Sequence, residues 1–520
     1  MKKMLLRPLL AALLFTVGLE GALANPIAVG YDYFSRRRPS IVVRFVANGG
    51  KIGESHGIER SSIEKKYEDG SEFLRAYNTE TLPVPKRYGY VFEGWYTEAS
   101  KGVAITSEFI HPGSQLSPWR TFDREIVVYA HWRISWRQGD FTGRLYRQLA
   151  KGDGNLVFSP YGVGSVCALM ATGAKGKTLD AFVKTLGLPA SNPDEIAHVF
   201  GCEKRRLGGT VELSDSIWLF NGFKPCDEFR SRAVKVFLAE ARKTVGGYAA
   251  MREINDYVNK KTHGKIPQPL QSPPSKDTAM AAVDTVYLKA IWEQPFQPAK
   301  TRVKKFTTLS GKCVEVPFMD DDIFCAGYYK TNGLAVLALP YRDCGLEMMF
   351  LLPDKNVALS RIEALLSESF INEIVPRLLH KGDTYPIGKA EPCPDKDGEY
   401  FIVGEEYGGT SVCIPKFEFE VRHDLREALD SMGLGIAFAQ KLADFSGITP
   451  SPGLGLSDVG QVAKIKVDEV GTEAGAGTAA LYVGCVMPDF VADRPFIFLL
   501  RDAKSGSIFF AGRVTDPSMK

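Results

Sequence analysis

Near its C-terminal end the chain runs through Glu469-Val470-Gly471-Thr472-Glu473-Ala474-Gly475-Ala476-Gly477-Thr478-Ala479-Ala480. Few folds have a place for so long a run of small residues. It follows a good strand pattern at 462–467. Three readings compete. As a helix, the run holds too many glycines, each unfavourable by about 1 kcal/mol against Ala. As a linker it works, because Gly/Ala/Thr chains are mobile. As a strand waiting for a vacancy it also works. Small side chains slide between two existing strands without clashes, and Thr472 and Thr478 favour β geometry. Composition alone ranks the linker first.

The remainder of the sequence excludes several classes. The 520 residues predict roughly two to four domains at about 150 residues each. A composition 45% hydrophobic and 24% charged argues against a disordered, collagenous or membrane-embedded chain. Its 64 Lys+Arg against 61 Asp+Glu leave a formal net charge of +3. That gives no global pull toward nucleic acid or an anionic membrane. Residues 1–24 read as a signal peptide: a basic head of Lys2, Lys3 and Arg7, an apolar stretch at 9–17, and Ala22-Leu23-Ala24 as a cleavage site. The apolar run is shorter than the roughly 20 residues a spanning helix needs. A secreted, cell-surface or periplasmic location is therefore expected.

Nine cysteines are present, an odd number, so at least one stays unpaired within the chain. Export permits disulfides, and a Cys393–Cys413 bridge is one candidate. No CxxC pair occurs and the seven His are scattered, so neither a metal nor a cofactor is expected. No Asn-x-Ser/Thr acceptor occurs, which excludes an N-glycosylated protein and favours a bacterial source.

The chain changes character along its length. Residues 25–40 are a linker with Arg36-Arg37-Arg38. Residues 41–133 alternate in polarity, as in Val43-Arg44-Phe45 and Ile126-Val127-Val128-Tyr129, with Gly and Pro between the runs. That is the pattern of short strands joined by turns. Phe92, Trp95, Tyr129 and Trp132 are candidates for a small core. This segment resembles the InlB B-repeat (Listeria–Bacteroides repeat) family. The matching residues are Val43-x-Phe45, Gly49-Gly50, Leu82-Pro83-x-Pro85-x-Arg87-x-Gly89-Tyr90-x-Phe92-x-Gly94-Trp95-Tyr96 and Val128-Tyr129-Ala130-x-Trp132. The resemblance implies a small β-grasp-like spacer or adhesive module.

From about Gln138 helical and strand patterns mix. Phe141, Leu145 and Leu149 mark an amphipathic helix. Ser159-Pro160 opens an apolar helix. Residues 425–432 read as a helix ended by Gly433, and 380–411 as a Gly/Pro-rich surface insertion. The stretch 138–517 resembles the serpin family. The residues that carry this are Asn155-Leu156-Val157-Phe158-Ser159-Pro160, then Ile254-Asn255-Asp256-Tyr257-Val258 with Thr262-x-Gly264-Lys265-Ile266. Next come Tyr287-Leu288-Lys289-Ala290-x-Trp292-Glu293-x-Pro295-Phe296, Leu339-Pro340-Tyr341 and Phe350-Leu351-Leu352-Pro353. Ile414-Pro415-Lys416-Phe417, Phe445-Ser446-Gly447-Ile448, Asp493-Arg494-Pro495-Phe496 and Phe510-x-Gly512-Arg513-Val514-x-Asp516-Pro517 complete the series.

The resemblance implies an α+β serpin fold with three β-sheets, about nine helices and an exposed reactive loop at 469–494. It implies that Glu469, Gly471, Thr472, Glu473, Ala474, Gly475, Ala476, Gly477 and Thr478 form the loop hinge, in the small-residue composition of inhibitory members. It implies a suicide mechanism with no catalytic residue of the protein's own: a protease forms an acyl-enzyme on the loop, and the freed hinge inserts into the central sheet. The family's spacing puts the scissile bond at Cys485–Val486, with Gly484–Cys485 and Val486–Met487 as neighbours. Cys485 lacks the charge a trypsin-like pocket wants, so an elastase-, subtilisin- or papain-like target is expected, in a one-to-one covalent complex with a monomer. Asn155, Ser159, Pro160, Asp284, Trp292 and Gln461 are implied shutter and breach positions. Many serpins have Asn where Asp284 stands and His where Gln461 stands, and an Asp–Gln hydrogen bond is the expected substitute. The rival readings are a non-inhibitory serpin used for binding or adhesion, and a repeat module with a serpin passenger. An enzyme is disfavoured, because no Gly-x-Ser-x-Gly motif occurs. Lys204-Arg205-Arg206 reads as a solvated face.

Overall fold

A computed structural model describes residues 41–49, 51–53, 59–67, 72–73, 76, 82–85, 90–99, 103–105, 125–134, 136, 138–188, 192–207, 211–288, 290–380, 384–392, 400–406, 408–457, 459–472, 487–503 and 505–519. The expected signal peptide 1–24 and linker 25–40 lie outside the described residues. So do Glu473 to Thr478 of the expected hinge, and Cys485 and Val486.

Contacts divide the chain into two units. The first takes its described residues from 41–44, 64–82 and 105–127. There Arg44 pairs with Glu64 at 2.8 Å, and the buried rings of Tyr67 and Phe73 meet at 5.0 Å.

The second unit holds 45–63, 83–104 and everything from 128 onward. In its N-terminal part, strand Tyr90–Tyr96 pairs antiparallel with residues 129–134, Tyr90 opposite Ile134 and Tyr96 opposite Tyr129. Trp95 is buried against Phe45 at 4.9 Å and Phe92 at 5.2 Å. Its indole N–H donates to the Pro83 carbonyl at 3.0 Å, which satisfies the one polar atom the burial would strand. Phe92 also meets Trp132 at 5.8 Å, so three of the expected aromatics share one cluster.

Eight elements of the large body position the candidate site. Helix α1 (Pro160–Ala171) begins at Ser159, whose Oγ accepts from the Gly162 N–H at 3.0 Å, with Pro160 at the first helical position. It is buried almost all round, which is why its sequence is apolar throughout. Helix α2 (Pro193–Leu207) carries Asp194 and Glu195 in its first turn, where negative charge complements the helix dipole. Strand β1 (Val211–Phe220), strand β2 (Glu240–Thr244), helix α3 (Gly247–Lys261) and strand β3 (Met280–Leu288) follow. Strands β4 (Phe417–Asp424) and β5 (Gly460–Val467) come much later in the chain.

Two sheets are continuous. A six-stranded sheet runs Gly327–Thr331, Leu334–Pro340, Leu346–Pro353, Phe496–Asp502, Ile508–Val514, Leu156–Phe158. A four-stranded sheet runs Arg302–Thr307, Cys313–Ile323, Thr410–Pro415, Asp489–Val491. The central sheet is in two halves. Among the described residues, β1 lies between β2 and β3, and β4 pairs only with β5.

Several expectations change. Residues 384–392 and 400–406 form an antiparallel hairpin, and Thr410 already belongs to a buried core strand, so the insertion ends by 409. Gly433, at φ 108°, kinks the helix instead of ending it, and a turn resumes at Gly435–Phe438. Cys413 has a free thiol that accepts from the Lys304 ammonium at 3.2 Å, and Cys393, its candidate bridge partner, lies outside the described residues. Asn155, expected in the shutter, instead clamps the C-terminal segment. Its Oδ1 accepts from the Thr515 and Asp516 amides at 2.8 and 3.0 Å, and its Nδ2 donates to the Asp516 carbonyl at 2.7 Å.

Candidate functional site

Among the described residues, β3 pairs along one edge only, to β1, and β5 along one edge only, to β4. Backbone N–H and C=O groups on a free strand edge are a template for another strand. The two free edges flank one gap. Helix α1 supports both from one side. A Cβ placed on Gly162 would lie 2.4 Å from Asp284 Oδ2 on β3 and 3.3 Å from Gln461 Nε2 on β5. On the other side, Ala281 and Val283 of β3 and Val462 of β5 pack with Trp218, Ile254, Tyr257 and Val258 beneath α3. Side chains alternate faces along a strand, so Asp284 and Gln461 face α1 while their neighbours Val283 and Val462 face α3.

The gap already has an occupant at one end. After β5 the chain reverses tightly. The Asp468 and Gly471 backbones bond each other, N–H to carbonyl, at 3.2 and 3.3 Å. Gly471 and Thr472 then pair antiparallel with Ile291 and Ala290. So Gly471 sits between the continuation of β3 and the end of β5. Only glycine fits. Its φ is +142°, and a Cβ there would lie 2.3 Å from the Ala290 carbonyl oxygen.

Trp292 closes this end. It is fully buried, stacks on Tyr341 at 4.4 Å and donates from Nε1 to the Asp468 carbonyl at 3.0 Å. Its own amide donates to Val470 O at 2.9 Å. Glu469 anchors the turn: Oε2 pairs with Lys416 Nζ at 2.6 Å and Oε1 accepts from Thr301 Oγ1 at 2.8 Å. Burial works to raise the Glu469 carboxyl, but the Lys416 and Thr301 contacts outweigh it and hold the group below the usual range.

Deeper in, the expected Asp–Gln hydrogen bond is absent. The Gln461 amide instead brackets Ser159, accepting from its N–H at 2.8 Å and donating to its carbonyl at 3.0 Å. Asp284 Oδ1 is buried without a hydrogen-bond partner. Sequence reasoning also missed Lys204. Its side chain is 5% exposed and its ammonium pairs with Asp215, so Lys204 leaves the solvated face expected of the triplet, while Arg205 is exposed. The period of α2 alone could have flagged it, since 204 falls four residues after the buried Phe200.

Among the described residues, the central sheet is split between β3 and β5, and Gly471 and Thr472 are seated at one end of the split. Comparison with known proteins names the class. The family profile "Serpin (serine protease inhibitor)" matches residues 137–385 and 403–517. The chain belongs to the serpin family. It is similar to an uncharacterized serpin-like protein of Thermococcus kodakarensis, 30% identical over 72% of this chain and 84% of that one. It is also 30% identical to intracellular coagulation inhibitor 1 of Tachypleus tridentatus, over 72% of this chain and 87% of the other. The native structure of the thermophilic serpin tengpin shares the fold, with a TM-score of 0.63 and 23% identity over 73% of this chain and 93% of that one. Members of this family are generally protease inhibitors rather than enzymes, and inhibitors are among these relatives. The family profile skips 386–402, which covers most of the 384–406 hairpin. No helix among the described residues is long and apolar enough to cross a membrane.

Proposed function

We propose that this serpin is an exported suicide-substrate inhibitor of serine or cysteine endopeptidases. The observation that carries the reading is the gap itself, open along β3 and β5 with Gly471 and Thr472 already seated at its end. Two independent registers support it. Continued inward from Ile291–Gly471, the β3 side puts residue 478 opposite Asp284. Continued from the Asp468–Gly471 turn, the β5 side puts residue 478 opposite Gln461. Both flanks therefore agree on one inserted strand. Directly opposed residues share a face. Thr472, Ala474, Ala476, Thr478 and Ala480 would face α1, all of them small. Glu473, Gly475, Gly477 and Ala479 would face α3. The small-residue run is thus sized for the gap, and its one charged side chain falls on the outer face.

The mechanism follows. A protease attacks the loop at Cys485–Val486 and forms an acyl-enzyme. Cleavage frees the hinge, and about 14 residues at roughly 3.3 Å each carry the tethered protease about 45 Å. Its active site is distorted before water completes hydrolysis. The uncharged Cys485 suits elastase-, subtilisin- or papain-like targets, and the product is a one-to-one covalent complex of a monomer. In this reading 1–24 directs export in a bacterium, to the periplasm, the cell surface or the medium. The 41–133 segment is an InlB B-repeat-like spacer. Incubation with elastase, subtilisin, papain and trypsin, followed by denaturing gels and mass spectrometry, tests it. A covalent band at the summed mass, with a released peptide starting at Val486, is expected. Clean cleavage by every protease, with no complex, would instead identify a non-inhibitory binding serpin.

A further inference from the structure

Three ionisable side chains meet beneath the gap. Lys204 reaches in from α2, pairs with Asp215 of β1, donates to the Phe237 carbonyl at 2.9 Å and lies 4.6 Å over the Phe237 ring. Asp215 is fully buried and accepts from Ser165 Oγ of α1 at 3.1 Å. Asp284 stands directly opposite Asp215 in the β1–β3 ladder, so both carboxylates face α1. Like charges in that position are unfavourable, and one ammonium cannot neutralise two carboxylates. Asp284 is the member at the gap, and its Oδ1 lacks a partner.

We propose that Asp284, set against Asp215 and Lys204, couples filling of the gap to uptake of one proton. The proton passes from solvent to the Asp284 carboxylate as the strand inserts. The proposal rests on the reading that the gap receives a strand. Burial already pushes the Asp284 carboxyl up, partly offset by Lys204, and pushes the Lys204 ammonium down, partly offset by Asp284. Asp284 is half-buried as a residue although its Oδ1 is already enclosed, and an inserted strand covers the exposure that remains, which disfavours its charge further. A hydroxyl arriving with that strand offsets part of this, with desolvation taken as the larger effect. Insertion is therefore favoured as pH falls.

The other groups facing Asp284 do not supply this response. From α1 they are Ser159, Gly162 and Ser165, and from β5 Gln461, none of them charged. Tyr257 of α3 is pushed up to about 12 by burial. On β4, one strand beyond, burial pushes His423 below its ordinary value, and Nε2 contacts the Val157 carbonyl at 2.8 Å.

The test adds a synthetic peptide of residues 471–482 to the full-length protein and follows annealing by native gel and by the rise in Tm, between about pH 6 and about pH 8. The expected result is faster annealing at lower pH, approaching tenfold for each pKa unit separating the two states. Asp284→Asn should anneal at one rate throughout, and His423→Gln should keep the slope. A pH-independent wild-type rate, or a slope that survives Asp284→Asn, overturns the proposal and leaves strand insertion standing. No annealing at any pH overturns the insertion reading and this proposal with it. Calorimetry of wild-type annealing in two buffers of different ionisation enthalpy counts the protons directly. Uptake near one supports the proposal, and zero uptake overturns it even if Asp284→Asn does not fold.

Discussion

The six-stranded sheet and the central sheet are both built on largely apolar strands and finish differently. In the first, strand Phe496–Asp502 is paired on both edges and buried along its whole length. In the second, β3 is also mostly apolar, with Ala and Val where the other strand has Phe, Ile and Leu, yet only Thr285 and Leu288 are buried. They differ in partners too, since among the described residues β3 has a neighbour on one side only. One strand has its ladders completed on both edges, and among the described residues the other leaves one edge unpaired. In the proposed function, completing that ladder supplies the stability gain that drives insertion.

Cleaving the loop should remove the contrast, and it is the largest effect expected. On the order of ten new ladder hydrogen bonds at about 1 kcal/mol each should raise Tm by about 20 °C or more. A scanning calorimeter reads this directly. An unchanged Tm would mean the gap does not fill. Next in size, Trp292→Ala removes the ring over the hinge turn. A loss of about 3–5 kcal/mol is expected, seen in chemical denaturation, together with faster proteolysis of the loop. Equal loop cleavage rates in the two proteins would show that Trp292 supports only the core.

Lys416→Met leaves Glu469 half-enclosed without its ammonium. About 2 kcal/mol of stability should be lost near neutral pH. The sign of its pH dependence is fixed by the depressed Glu469 carboxyl. The pair stabilises the fold above the ordinary Glu value of 4.5, and that contribution fades as pH falls through the depressed value. Wild-type and variant curves should therefore converge in acid, and parallel curves would remove the pair from the account. The smallest effect is that of Ser159→Ala, which loses the α1 cap but keeps the Gln461 bracket on the backbone. About 1 kcal/mol is expected from equilibrium unfolding. A much larger loss would mean the Ser159 hydroxyl also holds the gap.

What could be read from residues alone was local. Ser159-Pro160 announces a helix start because a cap and a fixed φ act within one turn. The run 469–480 announces a constraint on size because steric bulk is a property of each residue. The ordered motifs from Asn155 to Pro517 were enough to place the fold class. The partners were not readable. Gln461 meets Ser159 across 302 residues of sequence, and a reading by analogy paired it with Asp284 instead. Asn155 sits next to the shutter helix in sequence, yet it serves the C-terminus. Lys204 looked like surface, since its type favours solvent and only the packing of α2 turns it inward.

The composition of the hinge thus fixed what can enter a sheet, because side-chain volume and backbone freedom belong to each residue. Whether a lane exists, where Gly471 meets it and which charges lie beneath it were set by folding. Those depend on edges left unpaired and on burial shared between distant segments, and neither quantity exists until the chain is packed.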